Sequence, residues 1–294
     1  MQIAANGLSI EVDDQGPPSG TPLLLIMGLG MQLTAWPEEL VQMLVARGFR
    51  VIRIDNRDIG LSQSFDAAGT PNLVWATLRY LMHLPVHAPY TVADMAGDGF
   101  AVLDALGITK AHVCGASMGG MIAQHMAASR PERVARLTLM MTSSGSRSLP
   151  QASAKVRAAL LERRAMGAHD LATEVERLMR VFTLIGSPAF RPEPAAFKAR
   201  LTASVQRAWR PNGMARQLVA IAADGDRTPL LSRITAPTHI VHGAADPLVP
   251  VAAAHDLHAK IAGSTLEVID GMGHDLPAAL WPRFAAAIGR REGQ

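Results

Sequence analysis

Cysteine is almost absent: the chain carries only Cys114 in 294 residues. One thiol cannot form an internal disulfide, which fits a reducing compartment. No stretch approaches the roughly 18 consecutive apolar residues that a membrane-spanning helix requires. The opening Met1 to Asp14 lacks the basic-then-apolar order of a secretory leader, so a cytoplasmic protein without a membrane span is expected. No internal repeat, low-complexity tract or flexible linker interrupts the chain. An excess of one charge is also missing, with 28 Lys and Arg against 25 Asp and Glu and a net +3. Arginines are dense from Arg147 to Arg216, but Glu162, Glu174, Glu176 and Glu193 are interleaved with them. That mixture reads as a solvated helical surface and argues against a nucleic-acid partner, which would need clustered basic residues.

An apolar fraction of 49% is enough to fill a sizeable interior, which excludes a disordered chain. Asn6-Gly7 before the alternating Leu8 to Val12 predicts a hairpin, because that dipeptide supplies two positive φ angles. The rhythm then changes. Leu23 to Met27 is a continuous apolar run, Pro37-Glu38-Glu39 opens a helix that Gly48 closes, and Val51 to Ile54 is a second strand. Helix is expected over Asp94 to Leu106 and Met118 to Ala128, strand over Ala111 to Cys114 and Val134 to Met141. This alternation predicts an α/β fold with a mostly parallel central sheet flanked by helices. From Gly145 to Leu218 helical segments, such as Ala154 to Met166 and Leu171 to Leu184, follow one another without a strand. Alternation resumes with Thr238 to His242, Val251 to Ile261, Thr265 to Ile269 and Trp281 to Ile288. The expected organisation is a core over residues 1–144 and 219–294 and an inserted helical cap over residues 145–218.

Gly115-Ala116-Ser117-Met118-Gly119 has the Gly-x-Ser-x-Gly form and lies between a predicted strand and a predicted helix. A serine exposed on so tight a turn brings backbone close on both sides, and only tiny residues fit two positions away. Neutral serine is a weak nucleophile, so the motif calls for a histidine base and a carboxylate to orient it. Among ten histidines, His274 follows the Thr265 to Ile269 strand in the glycine-rich turn Gly271-Met272-Gly273-His274, at the sheet's carboxyl edge. Asp246 follows another strand and reaches the same edge. Asp275 is awkwardly adjacent to the histidine, and Asp270 is the better rival. His83 and His87 have metal-ligand spacing, but Pro85 interrupts the helix that would align them. His255 and His258 lack a third ligand and read as a solvated face. His112 and His125 read as packing residues, and Cys114 as a small buried one. No metal or cofactor is implied.

The elbow and its flanks resemble the α/β-hydrolase superfamily over nearly the whole chain outside the cap. Asp55-Asn56-Arg57-Asp58-Ile59-Gly60-Leu61-Ser62 also resembles that family's turn after its second core strand. For Asp55, Arg57 and Ser62 a structural role in tying down the loop is expected. The Ser-Met-Gly elbow is similar to that of the carboxylesterase branch that includes aclacinomycin methylesterase. The resemblance implies a Ser117, Asp246, His274 triad in the superfamily's chain order. It also implies an oxyanion site from the Met118 amide and a second amide at Leu29, each donor typically worth about 2.7–4 kcal/mol in the transition state. Met27 stands where many relatives carry histidine, but the donor is backbone and should survive the change. Met31 and Trp36 near the oxyanion loop, with Phe182 and Trp209 of the cap, are the expected pocket residues.

A small-molecule ester is the expected partner and a serine carboxylester hydrolase the expected function. Serine at the elbow speaks against the aspartate-based dehalogenase and epoxide hydrolase chemistries of the same fold. Lactonase, carbon–carbon hydrolase, perhydrolase and acyl-transfer chemistries fit the same residues. A ligand receptor with little turnover, or a structural protein with a dead site, are the readings from other classes.

Overall fold

The computed structural model describes residues 1–160 and 170–290. β1 (Gln2–Ala5) and β2 (Leu8–Gln15) form the expected hairpin, with φ of 53° at Asn6 and 74° at Gly7. β3 (Thr21–Ile26) follows, then α1 (Glu38–Val45), whose first turn carries Glu38 and Glu39 against the positive end of the helix. Gly48, at φ 86°, turns the chain into β4 (Phe49–Ile54). α2 (Leu73–Leu81) precedes α3 (Val92–Ala105), which starts at a reciprocal capping box between Thr91 and Asp94. β5 (Ala111–Ala116), α4 (Met118–Ser129) and β6 (Val134–Met140) complete the first half of the core.

Among the described residues, the elements between β6 and the next strand are helices: α5 (Ala154–Leu160), α6 (Leu171–Ile185), α7 (Pro194–Arg207), α8 (Pro211–Asp224) and α9 (Thr228–Leu231). The helix expected over Ala154 to Met166 is described to Leu160, and its remainder lies outside the described residues. α8 runs unbroken through Leu218, so the cap limit drawn there from sequence falls inside a helix. β7 (Thr238–Gly243), α10 (Ala252–Lys260), β8 (Thr265–Ile269) and α11 (Trp281–Ile288) follow. α2 is absent from the sequence expectations, which assign no element to that stretch.

The eight strands form one sheet in the order β1-β2-β4-β3-β5-β6-β7-β8. At one edge β1 pairs antiparallel with β2 and β2 pairs antiparallel with β4, and the pairs from β4 through β8 are parallel. Buried on both faces, β3 reads as a continuous apolar run over Leu23 to Ile26. Leu24, Ile26 and Val113 pack with α3 and α4 on one face. Leu23, Leu25 and Cys114 pack with α1 and α11 on the other. Each fully buried leucine or isoleucine contributes roughly 1.5–3 kcal/mol.

The strand order decides where chemistry can happen. The chain passes from β3 outward to β4, then returns to place β5 on the other side of β3, so the crossovers leave these two neighbours in opposite directions. Loops diverging from adjacent carboxyl ends leave a crevice between them. The register pairs Ile26 with Gly115, which brings the oxyanion loop after β3 beside the elbow after β5.

Candidate active site

Ser117 occupies φ 54°, ψ −118°, a conformation that costs a side-chain-bearing residue on the order of 1–3 kcal/mol and needs surrounding structure to hold it. Its N–H donates to the Met140 carbonyl at 2.9 Å, and its own carbonyl accepts from the Thr142 hydroxyl at 2.7 Å. β6 therefore fixes the turn from one side. From the other, a methyl at Gly119 would lie 2.1 Å from the Ile26 oxygen, and one at Gly115 2.1 Å from the Gly119 oxygen. Gly120, outside the five-residue motif, is equally constrained, since a Cβ there would meet Thr142 at 2.6 Å.

His274 Nε2 lies 3.0 Å from Ser117 Oγ, and His274 Nδ1 lies 2.7 Å from Asp246 Oδ2. A carboxylate can only accept, so the Nδ1 position carries hydrogen and Nε2 is left to face the hydroxyl. Asp246 is held in turn by the Leu248 and Val249 amides, which donate to Oδ1 at 2.9 and 2.8 Å. Of the rivals, Asp270 is exposed, and Asp275 accepts from Ser187 on the far side of the histidine loop. Burial holds the Asp275 carboxyl above the usual carboxylate range.

The loop bearing His274 is fastened to the end of α6. His274 N–H donates to the Ile185 carbonyl at 2.8 Å, Gly273 N–H donates to Ser187 Oγ at 2.9 Å, and Ala189 N–H donates to the Gly271 carbonyl at 3.2 Å. Contact is close enough that a Cβ at Gly273 would lie 2.5 Å from Gly186.

One group beside Asp246 escaped sequence reasoning. His242, fully buried on β7, has Nε2 2.7 Å from the Val249 carbonyl and 3.5 Å from Asp246 Oδ2. Because the carbonyl accepts, Nε2 carries the hydrogen. Burial lowers the affinity of His242 for a second proton, and the same cause lowers that of His239, which sits between Thr265 and Glu267 on the same strand. Both groups protonate more readily unfolded than folded, so the unfolded state takes up protons first as pH falls through the ordinary histidine value of 6.5. Stability should therefore fall below that pH, by up to about 1.4 kcal/mol per unit for each histidine. Urea unfolding at about pH 8 and about pH 5.5 checks this, and an equal or higher midpoint in acid would contradict it.

The Leu29 and Met118 amides have no acceptor among the described residues, whereas the next amide in the loop, Gly30 N–H, donates to Gln217 Oε1 at 2.9 Å. Gly28 brings the loop close, since a Cβ there would lie 3.0 Å from Ser117 Cβ. Several side chains hold this loop. Asn56 donates to the Met27 carbonyl at 2.9 Å, Gln217 donates onward to the Arg57 carbonyl at 3.0 Å, and Gln32 donates to the Ser204 and Ala208 carbonyls at the end of α7. Met27 itself is buried in the core that α1 and α11 cover. Asp55 accepts from the Leu33 and Leu61 amides and from Arg207, Ser62 donates to the Asp55 carbonyl, and Arg57 makes a two-point bond to Asp98. These contacts match the tying role expected of the three residues.

The pocket expectations fare unevenly. A cavity of about 350 Å³ lies against Leu29 and Met121 of α4, with Tyr80, Leu149, Met214 and Leu248 among its other walls, and neither Ser117 nor His274 lines it. A smaller cleft of about 70 Å³, with Met214 as the shared wall, is lined by Met31, Phe182 and Trp209. Trp36 belongs to neither. It is fully buried among Leu40, Phe49 and Phe284 beneath the sheet, because the chain turns away from the crevice before α1 begins. Other expectations also change on inspection of contacts. His125, expected to be a packing residue, bonds through Nε2 to Asp224 at 2.7 Å. His83 and His87 stand exposed beyond α2, and no cluster of three or more metal-ligating side chains occurs among the described residues. No helix among them is long and apolar enough to cross a membrane.

Comparison with known proteins agrees with this geometry at the level of family. Residues 21–277 match the family described as alpha/beta hydrolase fold. Rhodomycin D methylesterase of Streptomyces peucetius is 32% identical over 93% of this chain and 91% of its own. 2-Hydroxymuconate semialdehyde hydrolase of Pseudomonas sp. strain CF600 is 28% identical over 98% of this chain and 92% of its own. The enol-lactonase structure from Burkholderia xenovorans superposes with a TM-score of 0.71 at 21% identity, covering 98% of each chain. The chain belongs to the alpha/beta hydrolase fold family. Its similarity to the methylesterase, shared by a second rhodomycin D methylesterase from Streptomyces sp. strain C5, places it with the carboxylic ester hydrolases of that family.

Proposed function

We propose that this protein hydrolyses a small-molecule carboxylic ester through an acyl-enzyme on Ser117. The observation that carries the reading is the continuous relay from Ser117 Oγ to His274 at 3.0 Å and from His274 to Asp246 at 2.7 Å. Ser117 Oγ attacks the ester carbonyl as its proton passes to His274 Nε2, and Asp246 stabilises the imidazolium that forms. The carbonyl oxygen becomes an oxyanion facing the Met118 and Leu29 amides, whose lack of protein acceptors leaves them available to it. The tetrahedral intermediate collapses as His274 returns the proton to the leaving alcohol. Water, activated by the same imidazole, then attacks the acyl-serine and releases the acid.

Two lines support a methyl ester of a bulky apolar acid as the substrate class. The cavity against Leu29 and α4 is apolar and spacious on the scale of small-ligand pockets. The similar Streptomyces proteins are methylesterases by name. The elements between β6 and β7 form the roof in this reading, with the cap taken as residues 145–218 and the flanking segments as core.

The test pairs an organophosphonate probe with a substrate panel. One probe adduct, located on Ser117 by mass spectrometry, and sustained turnover of methyl esters of bulky aromatic acids are expected. An unmodified Ser117 sinks the mechanism, and a single turnover followed by arrest favours a receptor. Similarity to 2-hydroxymuconate semialdehyde hydrolase makes carbon–carbon cleavage on the same residues the second reading. The same panel, extended with vinylogous diketone acids and simple lactones, ranks the two.

A further inference from the structure

Among the described residues, eight large apolar side chains stand exposed, and six of them fall within eleven consecutive positions: Val74, Trp75, Leu78, Leu81, Met82 and Leu84. They belong to α2 and the turn that ends it. Soluble helices normally turn such residues inward, and a concentrated apolar patch marks an interaction surface. No residue of α2 is fully buried. Its opposite stripe, Leu73, Ala76, Thr77 and Tyr80, forms one wall of the 350 Å³ cavity. One short helix thus presents large apolar side chains outward and a binding-cavity wall inward.

Along the two segments that meet here, charge has a single sign. From Ala67 to Ala93 the chain carries Arg79, His83 and His87 and no Asp or Glu. The facing wall of the cavity comes from residues 143–157, and from Met141 to Ala159 there are Arg147, Lys155 and Arg157, again without an acid. Arg147 lies 4.7 Å over the Tyr80 ring, so the two segments meet at the mouth. Arg147, Lys155 and Arg157 are exposed. An apolar face rimmed by cations complements a surface of acyl chains beneath anionic headgroups. A second copy of this chain would set the same positive rim against itself across a twofold axis, which disfavours that occupant.

We infer that the α2 face docks this protein on an anionic lipid–water interface, with Trp75, Leu78 and their neighbours in the acyl boundary and the cavity mouth open to it. The substrate is then an amphiphilic ester taken from that interface. That last clause rests on the ester-hydrolase reading, while the docking itself does not.

The test is co-sedimentation of the full chain with vesicles of phosphatidylcholine and phosphatidylglycerol, and with vesicles of phosphatidylcholine alone. Binding to the anionic vesicles is expected, at least about tenfold weaker to the neutral ones and about tenfold weaker for Trp75→Glu with Leu78→Glu. Thermal melting confirms that this double variant is folded; if it melts early, Leu81→Ser with Met82→Ser takes its place. Absence of binding to anionic vesicles, or binding that the variants leave unchanged, overturns the docking. So does a solution dimer that the double variant converts to monomer, because the face would then belong to a second copy. Phosphonate labelling of Ser117 is read on the same samples. Vesicle binding lost with labelling retained defeats only the docking, and vesicle binding retained without labelling defeats only the hydrolase reading.

Discussion

Ser117→Ala is expected to lower kcat by at least about 10³-fold, as removal of a triad member generally does. Melting should hardly change. The Oγ makes one polar contact within the protein, to His274, and the backbone bonds to Met140 and Thr142 that hold the strained turn do not involve it. The comparison of activity with thermal stability matters for that reason. A loss of both would mean that the elbow had collapsed, whereas loss of turnover alone isolates the hydroxyl. Residual activity within about tenfold of the parent would remove Ser117 from the nucleophile's role.

Asp58→Ala is expected to cost about 3–5 kcal/mol of unfolding free energy, the penalty for stranding a buried charge. Asp58 and Arg216 are both fully buried and joined at two points, Nε to Oδ2 at 2.6 Å and Nη2 to Oδ1 at 2.7 Å. The Tyr90 hydroxyl and the Phe65 amide also donate to Asp58, at 2.9 and 3.0 Å. Burial and the adjacent carboxylate hold the Tyr90 phenol well above its ordinary range. Alanine would leave the buried guanidinium only the Gly69 carbonyl at 2.6 Å and the exposed Asp66 carboxylate at 3.1 Å, and would orphan two donors without volume to replace them. Urea unfolding measures the loss, and a change under about 1 kcal/mol would contradict the account. Adding Arg216→Met should recover part of it, since the buried cation that lost its main partner is then gone. Activity should suffer too. The residue after Arg216 is Gln217, whose side chain holds Gly30 in the oxyanion loop, so a loosened α8 also loosens that loop.

What could be read from sequence was local. Asn6-Gly7 announces its hairpin because two adjacent positive φ angles need that dipeptide, and the Gly-x-Ser-x-Gly elbow announces itself because a methyl at either end would strike backbone. The continuous apolar run Leu23 to Ile26 marks β3 because both faces of a parallel sheet are covered. The candidate relay followed, since Ser117, Asp246 and His274 each sit in a loop at the carboxyl edge of that sheet. Partnerships across long separations were not legible. Nothing near Asp58 points to Arg216, nor anything near His125 to Asp224, because each pair depends on how a helix after β6 settles on the core. Trp36 shows the same limit in one residue. Its position near the oxyanion loop is right, yet the direction of its ring depends on where the chain turns to enter α1. α2 was missed for a different physical reason. Its apolar side chains face outward as well as toward the cavity, which blurs the one-sided stripe by which a helix is recognised.

The bonds between residues 185–189 and the loop of residues 271–274 bear on any attempt to give this scaffold a new specificity. Roof and imidazole share one set of fastenings, so they cannot be exchanged as independent modules. A chimera built by replacing everything between β6 and β7 would discard Ile185 and Ser187 together with the old pocket walls, and its histidine would lose its aim before a new substrate arrived. A graft that keeps the end of α6 through Ala189 and renews only the helices on either side preserves the relay's geometry while changing what it encounters.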